Sequence, residues 1–188
     1  MIVSTDDEQI AKIAKEYGAE VFFKRSAEMA SDTAGKLDVI RDAFQKSEKH
    51  YKIKFDYLID LDATAPLRDT EDILNSFNQF IKNNNDNLIT AMPSRRSPYF
   101  NLIEIDNNGK VSLSKTLDDK VVRRQDTPKS YDMNASIYIW KRETILNSNT
   151  LFLKNTGLYI MPEERSIDID TELDYKFVEF IMKENNVK

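Results

Sequence analysis

What most constrains the fold is an alternation, through the first half of the chain, of short apolar runs with amphipathic helical patterns. Ile2-Val3-Ser4 is a brief apolar entry, and Thr5 with Glu8 three positions later has the form of a helix-capping box. Ile10, Ile13, Ala14 and Tyr17 then recur on one helical face as far as Gly18, a residue suited to a left-handed helix end. Residues 20–23 read as a strand, 34–49 as a helix through Leu37, Ile40 and Phe44, and 57–61 as a largely buried strand. Asp69 or Thr70 is placed to cap a third helix with inner face Ile73, Leu74, Phe77 and Ile81, and 87–92 read as a further strand. Strands alternating with helices imply an α/β fold, a mostly parallel sheet with helices on its faces.

The middle of the chain breaks this pattern. Residues 99–106 and 110–113 flank Asn107-Asn108-Gly109, which supplies the positive φ values of a tight hairpin turn. From 114 to 132 the chain is polar with little periodicity, and so long an irregular stretch is functional, mobile or packed on another subunit. A strand pattern returns over 133–140, and Leu173, Phe177, Phe180 and Ile181 mark a C-terminal helix. A chain of 188 residues, 40% of them hydrophobic, suffices for one domain with its own core. The net charge of -5 excludes a general nucleic-acid surface. No apolar run approaches the roughly 20 residues of a membrane span, and there is neither cysteine nor a basic-then-apolar leader, so a cytoplasmic protein without a membrane partner is expected. His50, the single histidine, ends a helix, where interaction with the helix terminus is its simplest role.

Two stretches carry chemistry. In the run from Arg165 to Asp174, Asp168 and Asp170 are one residue apart, so in an extended segment their carboxylates point to the same side and can share a hard cation. Magnesium takes one or two carboxylates and fills its other positions with water and phosphate oxygens, a pattern that suits a nucleotide site. The other reading is that Asp170 or Thr171 caps the helix that follows. The second stretch, Asp62-Ala63-Thr64-Ala65-Pro66-Leu67-Arg68, follows a strand directly, where ligands collect in open α/β sheets. It reads equally as a strand-to-helix connection with a solvated Arg68.

Six motifs taken in order make the chain similar to the acylneuraminate cytidylyltransferases. They are Val3-Ser4-Thr5-Asp6-Asp7, residues 24–34, Thr64 to Arg68, Arg124-Gln125-Asp126, Asn134-Ala135-Ser136-Ile137-Tyr138, and Ser166 to Thr171. The resemblance covers essentially the whole chain. It implies a nucleotide-binding sheet with a hairpin-bearing dimerisation arm over 94–132, and transfer of CMP from CTP to a sialic, legionaminic or pseudaminic type of nonulosonic acid, with release of pyrophosphate. It further implies Mg2+ on Asp168 and Asp170 as the catalytic and metal-binding pair, and the nucleotide at Arg25, Ala34 and Lys36. The sugar acid falls to Asp62, Thr64, Arg124, Gln125 and Asn134, and the expected assembly is a homodimer.

The resemblance also sets expectations through its departures. Family members place a strand and a Gly- and Lys-containing phosphate loop ahead of the segment corresponding to Ile2-Val3-Ser4-Thr5, and Gly18, Gly35, Gly109 and Gly157 make no G-x-G cluster. The chain is therefore expected to be N-terminally truncated relative to the family and to have little activity. Lys36 stands where a small hydroxyl residue is common, and Asp62 where sialic-acid members carry Gln, as in legionaminic-type members. Alternatives are a transferase acting on 3-deoxy-manno-octulosonate and a catalytically silent homologue that binds ligand or dimerises.

Overall fold

The structure, a computed structural model, describes residues 1–31, 33–118 and 123–186. Asp32, within the motif at 24–34, and residues 119–122 of the expected arm lie outside the described residues. Five α-helices and six strands are described: α1 Glu8–Glu16, α2 Lys36–Tyr51, β1 Tyr57–Leu61, α3 Thr70–Lys82, β2 Asn87–Pro93, β3 Ile103–Ile105, β4 Val111–Leu113, β5 Tyr131–Lys141, α4 Arg142–Asn147, β6 Thr156–Ile160 and α5 Glu172–Asn186. The main sheet has the order β1-β5-β2-β6, and β3 and β4 form a separate hairpin. Strands β2 and β6 are parallel, pairing Asn87 with Thr156 through Ala91 with Ile160. This is the α/β architecture expected from the alternation of patterns. Among the described residues no helix is long and apolar enough to cross a membrane.

The chain forms two compact units, one of Met1–Asp60 with Trp140–Lys154, the other of Leu61–Ile139 with the residues from Asn155 onward. In the first unit the expected capping box at Thr5 is not what starts α1. Asp7 is the cap, its carboxylate accepting from the amides of Gln9 (2.7 Å) and Ile10 (2.8 Å), while Thr5 Oγ1 accepts from Asp7 N. Gly18, at φ +83°, closes the helix as expected. The face of Ile10, Ile13 and Tyr17 is exposed rather than inward, Tyr17 to 85%. The strand expected at 20–23 reduces to a single parallel bridge between Ile2 and Glu20, because only Glu20 exchanges backbone hydrogen bonds with the entry segment. Helices α2 and α4 are tied by Arg41, whose guanidinium donates to the carbonyls of Ile145 (2.9 Å) and Ser148. Glu48 accepts a two-pronged hydrogen bond from Arg142 at 2.7 and 3.0 Å.

In the second unit Phe80, Leu88, Ile137, Ile139 and Met161 form the core, with Leu61, Ile73, Phe77 and Tyr159 packed against it. Helix α3 begins at Asp69 as expected, in a capping box with Asp72. Its buried face is Asp72, Ser76 and Phe80, whereas Leu74 and Ile81 are exposed. Of the expected inward face Ile73 and Phe77 do pack on the core, while Leu74 and Ile81 do not, because Asp72 and Ser76 take the buried positions. In α5 likewise Val178 is buried while Leu173, Phe177 and Phe180 are exposed. Strand β1 is half open, with Tyr57 and Ile59 exposed instead of buried. The hairpin forms where Asn107-Asn108-Gly109 placed it, with Ile103 opposite Leu113, Gly109 at φ +78° and the Asp106 carboxylate accepting from the amides of Asn108 (2.8 Å) and Lys110 (3.0 Å). Helix α4 and strand β6 are elements for which the sequence reading had no counterpart.

Candidate functional site

Within the second unit the acidic segment and the loop after β1 meet. Residues 166–170 lie outside the sheet as an irregular segment, and the Ile169 amide donates to the Thr64 carbonyl at 2.9 Å. The Asp62 carboxylate accepts from the amide (3.3 Å) and hydroxyl (3.1 Å) of Thr64, and the Asp62 amide donates to the Ser136 carbonyl in β5 (3.2 Å). Arg68, read as solvated in one alternative, instead donates one guanidinium nitrogen to the carbonyls of Asp62 (2.6 Å), Ala65 (2.9 Å) and Ser136 (3.2 Å). The loop is thereby fixed from both sides.

Burial pushes the Asp168 carboxyl above the usual carboxylate range, and the negative charges of Asp170, Asp174 and Asp62 add to the shift. Asp174 is held low by the hydroxyl and amide of Thr171, so Thr171 and Asp174 form the start of α5 and the alternative role for Asp170 as the cap is not the one adopted. Among the described residues no group of three or more acidic or histidine side chains makes a metal cage. Asp168 and Asp170 are two carboxylates with further negative charge nearby, and a pair of that kind could hold a cation that shares its remaining positions with water and phosphate.

Behind the acidic segment lies a buried polar chain that sequence reasoning missed except at one member. Thr90 Oγ1 donates to Asn134 Oδ1 (2.7 Å), Asn134 Nδ2 donates to Ser166 Oγ (3.0 Å), and Ser166 Oγ donates to the Pro162 carbonyl (2.7 Å). Asn134, expected at the sugar acid, is buried, and both ends of its amide are engaged within the unit. Next to it Ala135 takes a left-handed conformation, φ +49°, inside β5, and the buried Ser136 hydroxyl has no hydrogen-bond partner. Strain of this kind inside a strand is concentrated at functional positions. Arg165, immediately before Ser166, grips Asp72 with two hydrogen bonds at 2.7 and 2.9 Å. The Asp69-x-x-Asp72 spacing was legible as a cap, but nothing in sequence showed that Asp72 also receives an arginine from across the unit.

Arg124 and Gln125 stand in a different place, in an open cavity of about 660 Å³ that also takes in Arg96 and Lys129. The Arg124 guanidinium donates to the Ser94 carbonyl, and its neighbour in the fold, Arg95, pairs with Glu163. The five expected sugar-acid residues thus divide, with Asp62, Thr64 and Asn134 around the acidic segment and Arg124 and Gln125 in the cavity. The expected nucleotide residues Arg25, Ala34 and Lys36 belong to the first unit. Arg25 donates to the hydroxyl (3.3 Å) and carbonyl of Ser4, and its amide donates to the Thr5 carbonyl (2.9 Å), so the motifs at 3–7 and 24–34 are joined. The Ala34 amide closes a turn onto Ser31, and Lys36 opens α2 with its ammonium 3.9 Å from Asp60.

Comparison with known proteins bears on the family and the fold. The cytidylyltransferase family model matches residues 1–187. The chain is 57% identical over 188 residues to the post-translational flagellin modification protein B of Campylobacter coli, covering all of this chain and 79% of that protein. It is 52% identical over 187 residues to the CMP-N,N'-diacetyllegionaminic acid synthase of Campylobacter jejuni, covering all of this chain and 78% of that enzyme. Its fold is that of CMP:2-keto-3-deoxy-manno-octonic acid synthetase, with a TM-score of 0.62 at 13% identity over 97% of this chain and 80% of the other. A match that runs the length of the chain, joined to relatives more than half identical to it, makes this protein a member of the cytidylyltransferase family.

Proposed function

We propose that the protein transfers CMP from CTP to a nonulosonic acid of the N,N'-diacetyllegionaminic type, releasing pyrophosphate. The observation that carries this reading is the 52% identity to the legionaminic acid synthase, against 28% to a pseudaminic acid cytidylyltransferase. In this reading the anomeric hydroxyl of the acid attacks the α-phosphorus of CTP. Asp168 and Asp170 would hold Mg2+, which would supply neutralisation of phosphate charge. Their mutual repulsion and the burial of Asp168 favour a bound cation. Arg25, Ala34 and Lys36 hold the nucleotide. Asp62 and Thr64 face the sugar acid, and the guanidinium of Arg124, with Gln125, receives its carboxylate, since a planar fork matches a carboxylate in two places.

The same proposal includes a homodimer formed through the arm. The hairpin exposes Ile103, Ile105 and Val111 to between 57% and 68%, and Leu102 and Phe100 beside it are exposed as well. A contiguous apolar surface of this kind marks a contact with another protein surface. We place the reaction in the cytoplasm, where CTP is available. The decisive experiment incubates the chain with CTP, Mg2+ and, separately, N,N'-diacetyllegionaminic, pseudaminic, N-acetylneuraminic and 3-deoxy-manno-octulosonic acids, reading CMP-sugar by mass spectrometry. Product from the legionaminic acid above all others, however slow, is expected. Product from the octulosonate alone, or from none of the acids, would overturn the reading.

A further inference from the structure

We propose that Arg165 and Asp72 form a latch that positions the cation-binding carboxylates, an inference that rests on the assignment of Asp168 and Asp170 above. Asp72 is 1% exposed, and burial alone would push its carboxyl up. The two-pronged hydrogen bond from Arg165, together with the Asp69 amide, outweighs that cost and keeps it ionised. Asp72 also accepts the Asp69 amide in the capping box of α3, but that local role needs no arginine. The geometric effect of the pair is specific, because α3 is anchored to the core through Phe77 and Phe80 and Arg165 is joined to the acidic segment by a single peptide bond.

The segment is fixed at three successive points. Arg165 is held by α3, Ser166 by Asn134 of β5, and Ile169 by Thr64 of the loop after β1. Asp168 falls between the second and third. Asp168 and Asp170 are like charges one residue apart in sequence, so without anchors the segment would move outward to separate the carboxylates. The latch opposes that movement, and it holds the donors together before any cation arrives. Partners that orient metal ligands in this way typically change affinity by about 10–100-fold when removed.

The test compares wild type, Arg165→Met, Arg165→Lys and, as control, Arg123→Met, whose exposed fork to Asp126 has nearly the same shape. Mn2+ binding in the presence of CTP is read by electron paramagnetic resonance, and amide exchange at Ile169 and Leu88 by NMR. Arg165→Met should weaken Mn2+ binding by about 10–100-fold and speed exchange at Ile169 by roughly an order of magnitude, leaving Leu88 in the core unchanged. Arg165→Lys should fall between, since an ammonium cannot grip both oxygens at once. Unaltered Ile169 exchange in Arg165→Met would overturn the latch, as would Mn2+ affinity equal to wild type. If the wild type binds no Mn2+ the metal assignment fails, and the exchange measurement still decides whether Arg165 holds the segment.

Discussion

Two arginine–aspartate forks in this molecule have almost the same shape and opposite consequences. Arg165 meets Asp72 at 2.7 and 2.9 Å, and Arg123 meets Asp126 at 2.9 and 3.0 Å. The Asp72 side chain is 1% exposed, whereas that of Asp126 is 43% exposed and its arginine 66%. The first fork therefore works where water cannot reach the carboxylate, and the second competes with solvent at both partners. Hydrogen-bond geometry alone does not rank the two. Burial, and what each arginine is attached to, does.

The comparison breaks most sharply at Asp72. Asp72→Asn should cost about 3 kcal/mol, the low end for a buried pair deprived of one partner because Arg165 keeps some contact with water. Asp126→Asn should stay within about 0.5 kcal/mol, as exposed pairs do; urea denaturation of both variants measures the difference. Acid should erase it. The folded-state value for Asp72 lies below its ordinary one, so the stability the pair supplies is complete above the unfolded value near pH 4 and is lost as pH falls through the folded value. Denaturation midpoints of wild type and Asp72→Asn should accordingly converge below about pH 4. A smaller effect of opposite sign is expected beside the latch. Ala135→Gly should stabilise the fold by about 1 kcal/mol, because glycine adopts φ +49° without the crowding a Cβ meets there. Smallest of all, Asp168→Asn should raise stability by roughly 0.5 kcal/mol, the scale of a partly solvated charge contact, while abolishing Mn2+ binding. A residue that lowers stability and is required for binding is the signature of a functional group, and calorimetry beside a Mn2+ titration separates the two effects.

How much of this was legible in sequence depended on the range of the interaction responsible. Local signals were read well, apart from the capping box at Thr5 that Asp7 replaces. Asp69 as a cap, Asn107-Asn108-Gly109 as a turn, Gly18 as a helix end and the strand at 87–92 all depend on residues within a few positions of one another. Helix faces were read less well, because apolar periodicity identifies a stripe without saying what lies against it. Leu74 and Ile81 complete such a stripe yet face outward, while Asp72 and Ser76 turn in. Strand β6 was missed since Thr-Gly-Leu-Tyr-Ile is short and carries a glycine. The candidate site was legible as residue types in order, but its division was not. That Asn134 lies buried behind Ser166, and that Arg124 and Gln125 share a cavity apart from Asp62, are consequences of contacts across 30 to 90 residues of chain.

Those long separations also bear on how the protein is made. Strand β2 carries buried Leu88, Ile89 and Ala91, yet both its neighbours in the sheet, β5 and β6, come later in the chain. Asn87 must wait for Thr156, its partner 69 residues on. At the usual ribosomal pace of about 5–20 residues per second, the nascent chain presents an unpaired apolar strand for roughly 3–14 s before its last neighbour is synthesised. Closure of loops this long is also slow once synthesis ends. In a living cell the yield of folded protein should depend on whatever shields β2 during that interval, and chaperone depletion should reduce it more than any surface substitution.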